Sequence, residues 1–149
     1  MRELSGIISG IAPSATLEIS DKARQMQRQG IDVISLSIGE PDFDTPAHIK
    51  EACIQALTRG ETHYAPSNGI PELLSAISRK TEQENKITCT SGQVIVTCGA
   101  KNAIYDAMVA VLNPGDEVII LDPSWVSYEP CVRMAGGKPV HHLLNSKTF

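Results

Sequence analysis

The sequence predicts an α/β protein with a three-layer α/β/α arrangement and a mostly parallel sheet, preceded by a helical N-terminal segment. From about residue 90 onward, near-continuous apolar runs that are typical of strands buried on both faces alternate with helical stretches. Before that point, apolar residues recur mainly at helical spacing, and glycine or proline interrupts each segment. Strands that alternate with helices indicate βαβ units, which build a parallel sheet.

Composition and charge exclude several classes of function. The 149 residues carry a net charge of -4, whereas a nucleic-acid-binding protein usually presents a basic face. No apolar run reaches the length of about 18 residues that a membrane span needs. The stretch from Ile7 to Ala12 is too short and too interrupted to predict a cleaved secretory signal. None of the four cysteines forms a C-x-x-C pair, so no zinc site is expected, and their scattered positions suit a reducing cytoplasm.

Three helices are predicted in the first half of the chain. One covers residues 14–29, with Ser14 as its cap and Gly30 at its end. Thr45 is expected to cap a second helix that has Pro46 at its first position and ends at Gly60. The third covers about residues 71–85, and its inward face is expected to contain Leu73, Leu74 and Ile77.

Strand patterns flank and follow these helices. Residues 32–36 form a short strand candidate that runs into a loop rich in proline, and residues 93–98 form an apolar run. A helix is expected from Gly99–Lys101 to about Leu112, followed by a turn at residues 113–116. A second buried strand at 117–121, a helix to about Ala135 and a third strand at 138–143 complete the pattern. Three strands are few for such a sheet, so we expect a further connection to begin at residues 146–149.

The junction between the strand ending at Cys98 and the next helix is a candidate anion site. A helix N-terminus presents unpaired N–H groups and the positive end of the helix dipole, which suit a phosphate. Gly99 would let the anion approach the backbone, and Lys101 would add charge. The alternative is that Gly99 only makes the turn and that Lys101 is solvated. The chain has neither a nucleotide P-loop motif nor a G-x-G-x-x-G dinucleotide motif.

Three loop residues are further candidates, each with a simpler alternative. Trp125 follows the second buried strand, at the edge where α/β sheets bind ligands, so its ring could stack on a cofactor or could instead fill a core or an interface. Gly39 could bind a carboxylate through its backbone N–H or could simply make a turn. Tyr64 could present a free hydroxyl or could pack against Pro66.

No metal site is predicted. His141 and His142 are adjacent on a strand and face opposite sides, so they cannot readily share one ion, and we interpret both as structural. The acidic residues Glu40, Asp42 and Asp44 lack the spacing and the glycine of a Ca²⁺ loop.

Taken together, several segments resemble the class I aminotransferases of fold type I, and most closely their bacterial aspartate aminotransferase branch. The motifs occur in the family's order and spacing and cover nearly the whole chain, from residue 13 to residue 137. The segments that carry the resemblance are Gly39-Glu40-Pro41-Asp42-Phe43-Asp44-Thr45-Pro46, Tyr64-Ala65-Pro66, Gly69-Ile70-Pro71-Glu72-Leu73, Gly99-Ala100-Lys101, Asn113-Pro114-Gly115-Asp116-Glu117-Val118 and Pro123-Ser124-Trp125-Val126-Ser127-Tyr128.

The resemblance implies a cofactor, pyridoxal 5'-phosphate (PLP), and a role for each matching residue. Gly99, Ala100 and Lys101 would form part of the cup for the cofactor phosphate, and Trp125 would stack on the pyridine ring and border the substrate. The backbone at Gly39 would hold the substrate α-carboxylate. Tyr64 would reach across a homodimer interface to the neighbouring subunit's cofactor phosphate.

The resemblance also implies a domain organisation. Residues 1–45 would form an N-terminal arm and part of a small domain. Residues 46–149 would form an incomplete PLP-binding large domain, whose sheet begins at about residue 90. The long, sparsely apolar first helix would serve as a docking arm in the dimer.

This sequence departs from the family pattern at three positions. Leu74 stands where an arginine is common, Ala100 stands where a hydroxyl residue or a glycine is common, and Ala12 stands where relatives can carry a basic residue. The Asn-Pro-Thr-Gly motif, the aspartate that pairs with the pyridine nitrogen, the Schiff-base lysine and the carboxylate-binding arginine are absent from this chain. None of its lysines lies in a matching context, so no catalytic residue is assigned here.

The resemblance therefore implies the N-terminal part of an enzyme that transfers an amino group between an amino acid, of aspartate type or broader, and a 2-oxo acid. The 149 residues alone are expected to be inactive. Two alternatives stay open: a non-catalytic remnant that pairs with an intact subunit, and another fold type I enzyme such as a β-lyase or a cyclising lyase.

Overall fold

The computed structural model describes residues 5–145 and 147, which form parts of two compact units. The first unit combines residues 1–38 with residues 97–149, and the second unit contains residues 39–96. The outer limits of the expected domains, at residues 1 and 149, lie outside the described residues. So do residues 146, 148 and 149, where a further connection was expected.

Helices dominate the secondary structure, and the two strands lie near the end of the chain. In order, the described residues form α1 (Gly6–Ser9), α2 (Ala15–Arg28), α3 (Ala47–Thr58), α4 (Pro71–Asn85), a 3₁₀ turn (Ser91–Gln93), α5 (Ala100–Val111), β1 (Glu117–Asp122), α6 (Tyr128–Met134) and β2 (Lys138–Leu143).

The parallel arrangement predicted for the sheet is confirmed in β1 and β2. The two strands pair in parallel from Glu117 opposite Lys138 to Asp122 opposite Leu143, and α6 forms the connection between them. Parallel strands cannot be joined by a tight turn, which is why a helix crosses between them. Ile120, Cys131 and Val132 are the buried apolar side chains of this β1–α6–β2 segment.

Glycine at position 137 allows β2 to begin close to the preceding elements. A Cβ atom at Gly137 would lie 3.0 Å from a methyl carbon of Leu112 and 3.0 Å from one of Val132. These contacts are tighter than van der Waals packing tolerates without movement. The turn before β1 is fixed by Asp116, whose Oδ2 atom accepts a hydrogen bond from the Asn113 N–H at 2.7 Å.

In the second unit, helix α4 contacts the 3₁₀ turn Ser91–Gln93. Leu74 is its buried apolar side chain among the described residues, whereas Leu73, which was expected to face inward, is exposed. Gly69 has a φ of +119°, and a Cβ atom there would lie 2.9 Å from a methyl carbon of Val96. Glycine is required at this position because both its φ value and the close approach of Val96 disfavour a side chain.

The helix predictions are confirmed within about two residues, except at some caps. Ser14 makes no side-chain capping bond to α2, and Pro46 rather than Thr45 is the N-cap of α3. Two large apolar side chains of α3, Ile49 and Leu57, are exposed.

Two of the predicted strands are absent from the described residues. Residues 32–36 have no strand pairing, and the side chains of Ile34 and Leu36 are 87% and 93% exposed. Residues 94–97 lie outside any helix or strand, and Ile95 is 73% exposed. A strand is defined by repeated hydrogen bonds to a neighbour, whereas the described residues show only an isolated bond at the second run, from the Val96 N–H to the Asn68 carbonyl. The prediction that these two apolar runs form strands, and that the second is buried, is therefore wrong for the described residues.

Candidate functional site

The turn at Gly99 leads into α5 with its backbone open on one side. Gly99 is the N-cap of α5 with a φ of +84°, and no atom lies within 4 Å of the position that a Cβ atom would occupy. The Thr97 hydroxyl donates to the Gly99 carbonyl at 3.0 Å, which fixes the turn. The first N–H groups of a helix have no partner within it, so the groups at Ala100 and Lys101 are available to an anion.

Lys101 and Trp125 lie next to each other in the first unit. The Nζ atom of Lys101 lies 5.2 Å from the centre of the Trp125 ring, within the range of a cation–π contact. Trp125 also meets the ring of Tyr128 edge-on, with 5.7 Å between ring centres and an angle of 88° between planes. The predicted phosphate-binding residues, Gly99–Lys101, therefore lie next to the predicted stacking residue Trp125.

The segment of residues 123–127, which we call the Trp125 loop, connects β1 to α6. Its first residues are held by Asp122, whose Oδ1 atom accepts a hydrogen bond from the Ser124 hydroxyl at 2.8 Å. Its end is held by a turn in which the Tyr128 N–H donates to the Trp125 carbonyl at 3.0 Å. The loop leaves the carboxyl end of a parallel strand, the usual position for ligand-binding loops in α/β proteins.

A group of polar residues beside this loop was not identified as a site from the sequence. The Nδ1 atom of His141 lies 2.8 Å from Asp122 Oδ2, and its Nε2 atom lies 3.4 Å from Glu129 Oε2. Glu129 also accepts from Arg133 Nε at 2.8 Å. His141 had been interpreted as structural. The register that places it beside Ile120, on the strand that ends at Asp122, is a tertiary feature that no local pattern contains.

Hydrogen bonds and burial change the ionisation of two groups near this loop. The Ser124 hydroxyl, and then His141, hold the pKa of Asp122 below its ordinary value of 3.8. Burial raises the pKa of the Cys131 thiol above its ordinary value of 9.0, and the nearby charge of Lys101 partly offsets that effect. Asp122 therefore favours its charged form and Cys131 its neutral form.

Tyr64 and Gly39, the other two predicted site residues, belong to the second unit. The side chain of Tyr64 is fully exposed, so the expected packing against Pro66 does not cover it. Gly39 has open space where a Cβ atom would lie, which leaves its backbone accessible.

One cavity of the first unit lies beside the Lys101–Trp125 pair rather than around it. It measures about 900 Å³, and its lining includes Lys101, Tyr105, Glu129 and Arg133, but not Trp125 or Gly99. A cavity of this volume is within the range that is usual for small-molecule sites. The Trp125 ring and the open N-terminus of α5 instead indicate that the candidate site lies at the edge of this cavity, beside Lys101.

Residues 5–145 and 147 contain neither a membrane-spanning helix nor a cluster of metal ligands. No helix in this part of the chain combines the length and apolar character that a bilayer crossing requires. In the same residues, no three His, Cys, Asp or Glu side chains come together as metal ligands could.

The sequence matches a known family of proteins. Residues 31–149 match the family described as aminotransferase class I and II. The aspartate/prephenate aminotransferase of Thermus thermophilus is 50% identical over 137 residues, which are 92% of this chain and 36% of that protein. The aspartate/prephenate aminotransferase of Cereibacter sphaeroides is 50% identical over 140 residues, covering 94% of this chain and 35% of that protein.

A solved structure agrees with these relatives. The aspartate aminotransferase from Thermus thermophilus with maleate superposes with a TM-score of 0.96 at 48% identity, covering 99% of this chain and 38% of that one. The chain thus spans little more than a third of the length of the relatives it matches, at their N-terminal end. The partial α/β fold expected from the sequence is confirmed, and the chain belongs to the class I and II aminotransferase family.

Proposed function

We propose that this chain is the N-terminal part of a PLP-dependent aminotransferase that transfers an amino group between an amino acid of aspartate type and a 2-oxo acid. The observation that carries the proposal is the arrangement of Lys101 against Trp125 at the open N-terminus of α5. The names of the similar proteins support aspartate as the amino donor, and several of them support prephenate as an acceptor.

The residues around Gly99 fit a phosphate. The position beside Gly99 is unobstructed, the α5 terminus offers backbone donors, and Lys101 supplies a positive charge. The Trp125 ring is partly exposed, so a flat aromatic group can reach one of its faces. PLP carries a phosphate and a flat aromatic ring in one molecule, so it matches both features.

In this proposal the chain binds and orients, and the chemistry is supplied elsewhere. When bound, PLP supplies an electron sink for the bonds at the amino-acid α-carbon. Gly99, Ala100 and Lys101 bind the phosphate and thereby fix one end of the cofactor. Trp125 covers one face of the ring, excludes water from it and borders the substrate. No catalytic residue is assigned to this chain, since none of its seven lysines matches the Schiff-base position.

The second unit supplies two further roles in this proposal. The backbone N–H of Gly39 binds the substrate α-carboxylate. Tyr64 contacts the cofactor phosphate of the neighbouring subunit in a homodimer. The full exposure of the Tyr64 side chain supports this role, because an aromatic residue that protrudes into solvent is usual at a protein interface. In the same proposal, residues 1–45 form the N-terminal arm and part of a small domain, and residues 46–149 form an incomplete large domain. The enzyme acts in the cytoplasm.

The test is an aminotransfer assay on the natural polypeptide that carries this chain, with aspartate and 2-oxoglutarate in the presence of PLP. We expect Lys101→Met to raise the PLP concentration needed for half-maximal activity by about tenfold or more, because a charge-assisted bond to phosphate is lost. Lys22→Met, which removes an exposed lysine on α2, is the control. Transfer that is independent of PLP, or equal effects of the two variants, would contradict the proposal. Sequencing the transcript beyond Phe149 would show whether a Schiff-base lysine follows in frame.

A further inference from the structure

We propose that His141 is a positioning residue that holds both ends of the Trp125 loop and so sets the orientation of the Trp125 ring. The inference rests on the proposed function in one respect, namely that the ring of Trp125 faces the cofactor. The contacts of His141 that hold the loop lie within the described residues, so their effect on the loop can be tested without a cofactor.

His141 reaches the beginning of the loop through Asp122. Its Nδ1 atom lies 2.8 Å from Asp122 Oδ2, while Asp122 Oδ1 accepts from the Ser124 hydroxyl at 2.8 Å. The Asp122 carbonyl also accepts from the Leu144 N–H at 2.8 Å, just after β2. Asp122 therefore connects β2 to the residue that directly precedes Trp125.

His141 reaches the end of the loop through Glu129. Its Nε2 atom lies 3.4 Å from Glu129 Oε2, and Glu129 lies in the first turn of α6, two residues after the loop ends. The second oxygen of Glu129 is occupied by Arg133, which restricts the carboxylate to one orientation. One imidazole thus bridges the residue before the loop and the first turn of the helix after it.

The chemistry of imidazole makes it suitable for this bridge. Ionised carboxylates only accept hydrogen bonds, and an imidazole offers two ring nitrogens that can face two different carboxylates. A hydrogen bond to an ionised carboxylate is charge-assisted and stronger than a bond between neutral groups. These groups are partly exposed, with His141 at 41% and Asp122 at 30% of their side-chain surface, so the bridge orients the loop more than it stabilises the fold.

The consequence for the site concerns the geometry of Trp125. Its carbonyl is tied to the Tyr128 N–H, and its ring contacts Tyr128 and Lys101. If the loop ends separate, the ring loses its fixed angle to α5, and a flat ligand bound at that terminus loses its stacking surface.

The test compares variants in the natural polypeptide that carries this chain. His141→Leu removes the hydrogen bond to Asp122 and the contact with Glu129, and His141→Asn keeps a donor near the position of Nδ1. His142→Leu is the matched control, because His142 is the next residue on β2, is exposed, and its side chain makes no hydrogen bond among the described residues. The Trp125 signal is isolated by subtracting the fluorescence of Trp125→Phe, and its accessibility is measured by acrylamide quenching without ligand. PLP binding is then measured by the quenching of the same signal.

We expect His141→Leu to increase acrylamide quenching of Trp125 and to weaken PLP binding by about two- to tenfold, the factor that one hydrogen bond contributes. His141→Asn should recover much of both effects, and His142→Leu should resemble the natural sequence. Unchanged quenching in His141→Leu, equal effects at His141 and His142, or failure of asparagine to restore a protein that still melts normally would overturn the inference. If the natural sequence binds no PLP, the proposed function fails, but the ligand-free quenching still decides the role of His141.

Discussion

The Lys101 ammonium group lies over the face of the Trp125 ring, with 5.2 Å between Nζ and the ring centre. The two residues come from different elements, since Lys101 is the second residue of α5 and Trp125 lies in the loop after β1. Their contact brings together a positive charge, an aromatic face and the open terminus of a helix. These features in one place are what a ligand with a phosphate and a flat ring requires.

Replacing Trp125 should weaken cofactor binding in proportion to the aromatic surface that is lost. We expect Trp125→Leu to raise the dissociation constant for PLP by about two- to tenfold, because an aromatic stacking contact contributes about 0.5–1.5 kcal/mol. Trp125→Phe should have a smaller effect, because a ring remains. Equilibrium dialysis of the natural polypeptide with PLP measures both constants. Equal constants for leucine and tryptophan would show that the ring does not stack on the cofactor.

Acid should weaken the β1–α6–β2 segment through Asp122. The folded pKa of Asp122 is lowered by Ser124 and then by His141, so its contribution to stability is complete above 3.8 and is lost as the pH falls through the folded value. The urea midpoint should therefore decrease below about pH 4. Asp122→Asn should show a smaller decrease over this range than Asp106→Asn, which alters an exposed carboxylate on α5. Identical acid dependence in the two variants would argue against the Asp122 bonds.

The thiols should differ in reactivity. Cys131 is 2% exposed and its pKa is raised by burial, whereas Cys53 and Cys98 are exposed. The thiolate is the reactive form, so a disulfide reagent at mildly alkaline pH should label Cys53 and Cys98 quickly and Cys131 only slowly. Mass spectrometry of the labelled peptides gives the three rates. Lys101→Met should slow Cys131 further, since the charge of Lys101 opposes the effect of burial.

Neighbouring isoleucines on β1 provide a matched test of the core. Ile120 is 5% exposed and Ile119 is 69% exposed, because successive strand residues face opposite sides. We expect Ile120→Ala to lower the free energy of unfolding by about 2–5 kcal/mol, the range for truncating a large buried side chain. Ile119→Ala should change it by less than about 0.5 kcal/mol. Urea unfolding of residues 1–149, at concentrations below those at which the chains associate and followed by Trp125 fluorescence, would show the prediction to be wrong if the two variants were equally destabilised.

The isolated 149 residues should self-associate and catalyse no transfer. Their accessible surface is 12444 Å², whereas a folded monomer of this mass exposes about 7400 Å². Many large apolar side chains are exposed, and large exposed apolar patches promote association. Sedimentation velocity at micromolar concentration should show oligomers, and aspartate should lose no amino group beyond the rate with free PLP. A monomer that melts cooperatively would contradict the first expectation.

How much could be predicted from the sequence depended on the range of the interactions. The limits of α4, at residues 71 and 85, follow from local signals: a proline at the start and a helical apolar spacing. The apolar runs at 32–36 and 93–98 have the composition of strands, but pairing depends on a distant segment. The bridge from His141 to Asp122 depends on the register of β1 against β2, so the sequence indicated the adjacent loop and not the histidine that holds it.

The closeness in sequence of β1 and β2 has a consequence for how the chain folds during synthesis. Glu117 pairs with Lys138, only 21 positions later, so this segment can close soon after it leaves the ribosome. The run around Ile95 emerges earlier, yet it stays extended, with the Val96 N–H bonded only to the Asn68 carbonyl. Its unpaired backbone groups therefore stay open to a chaperone or to another nascent chain while β1 and β2 pair.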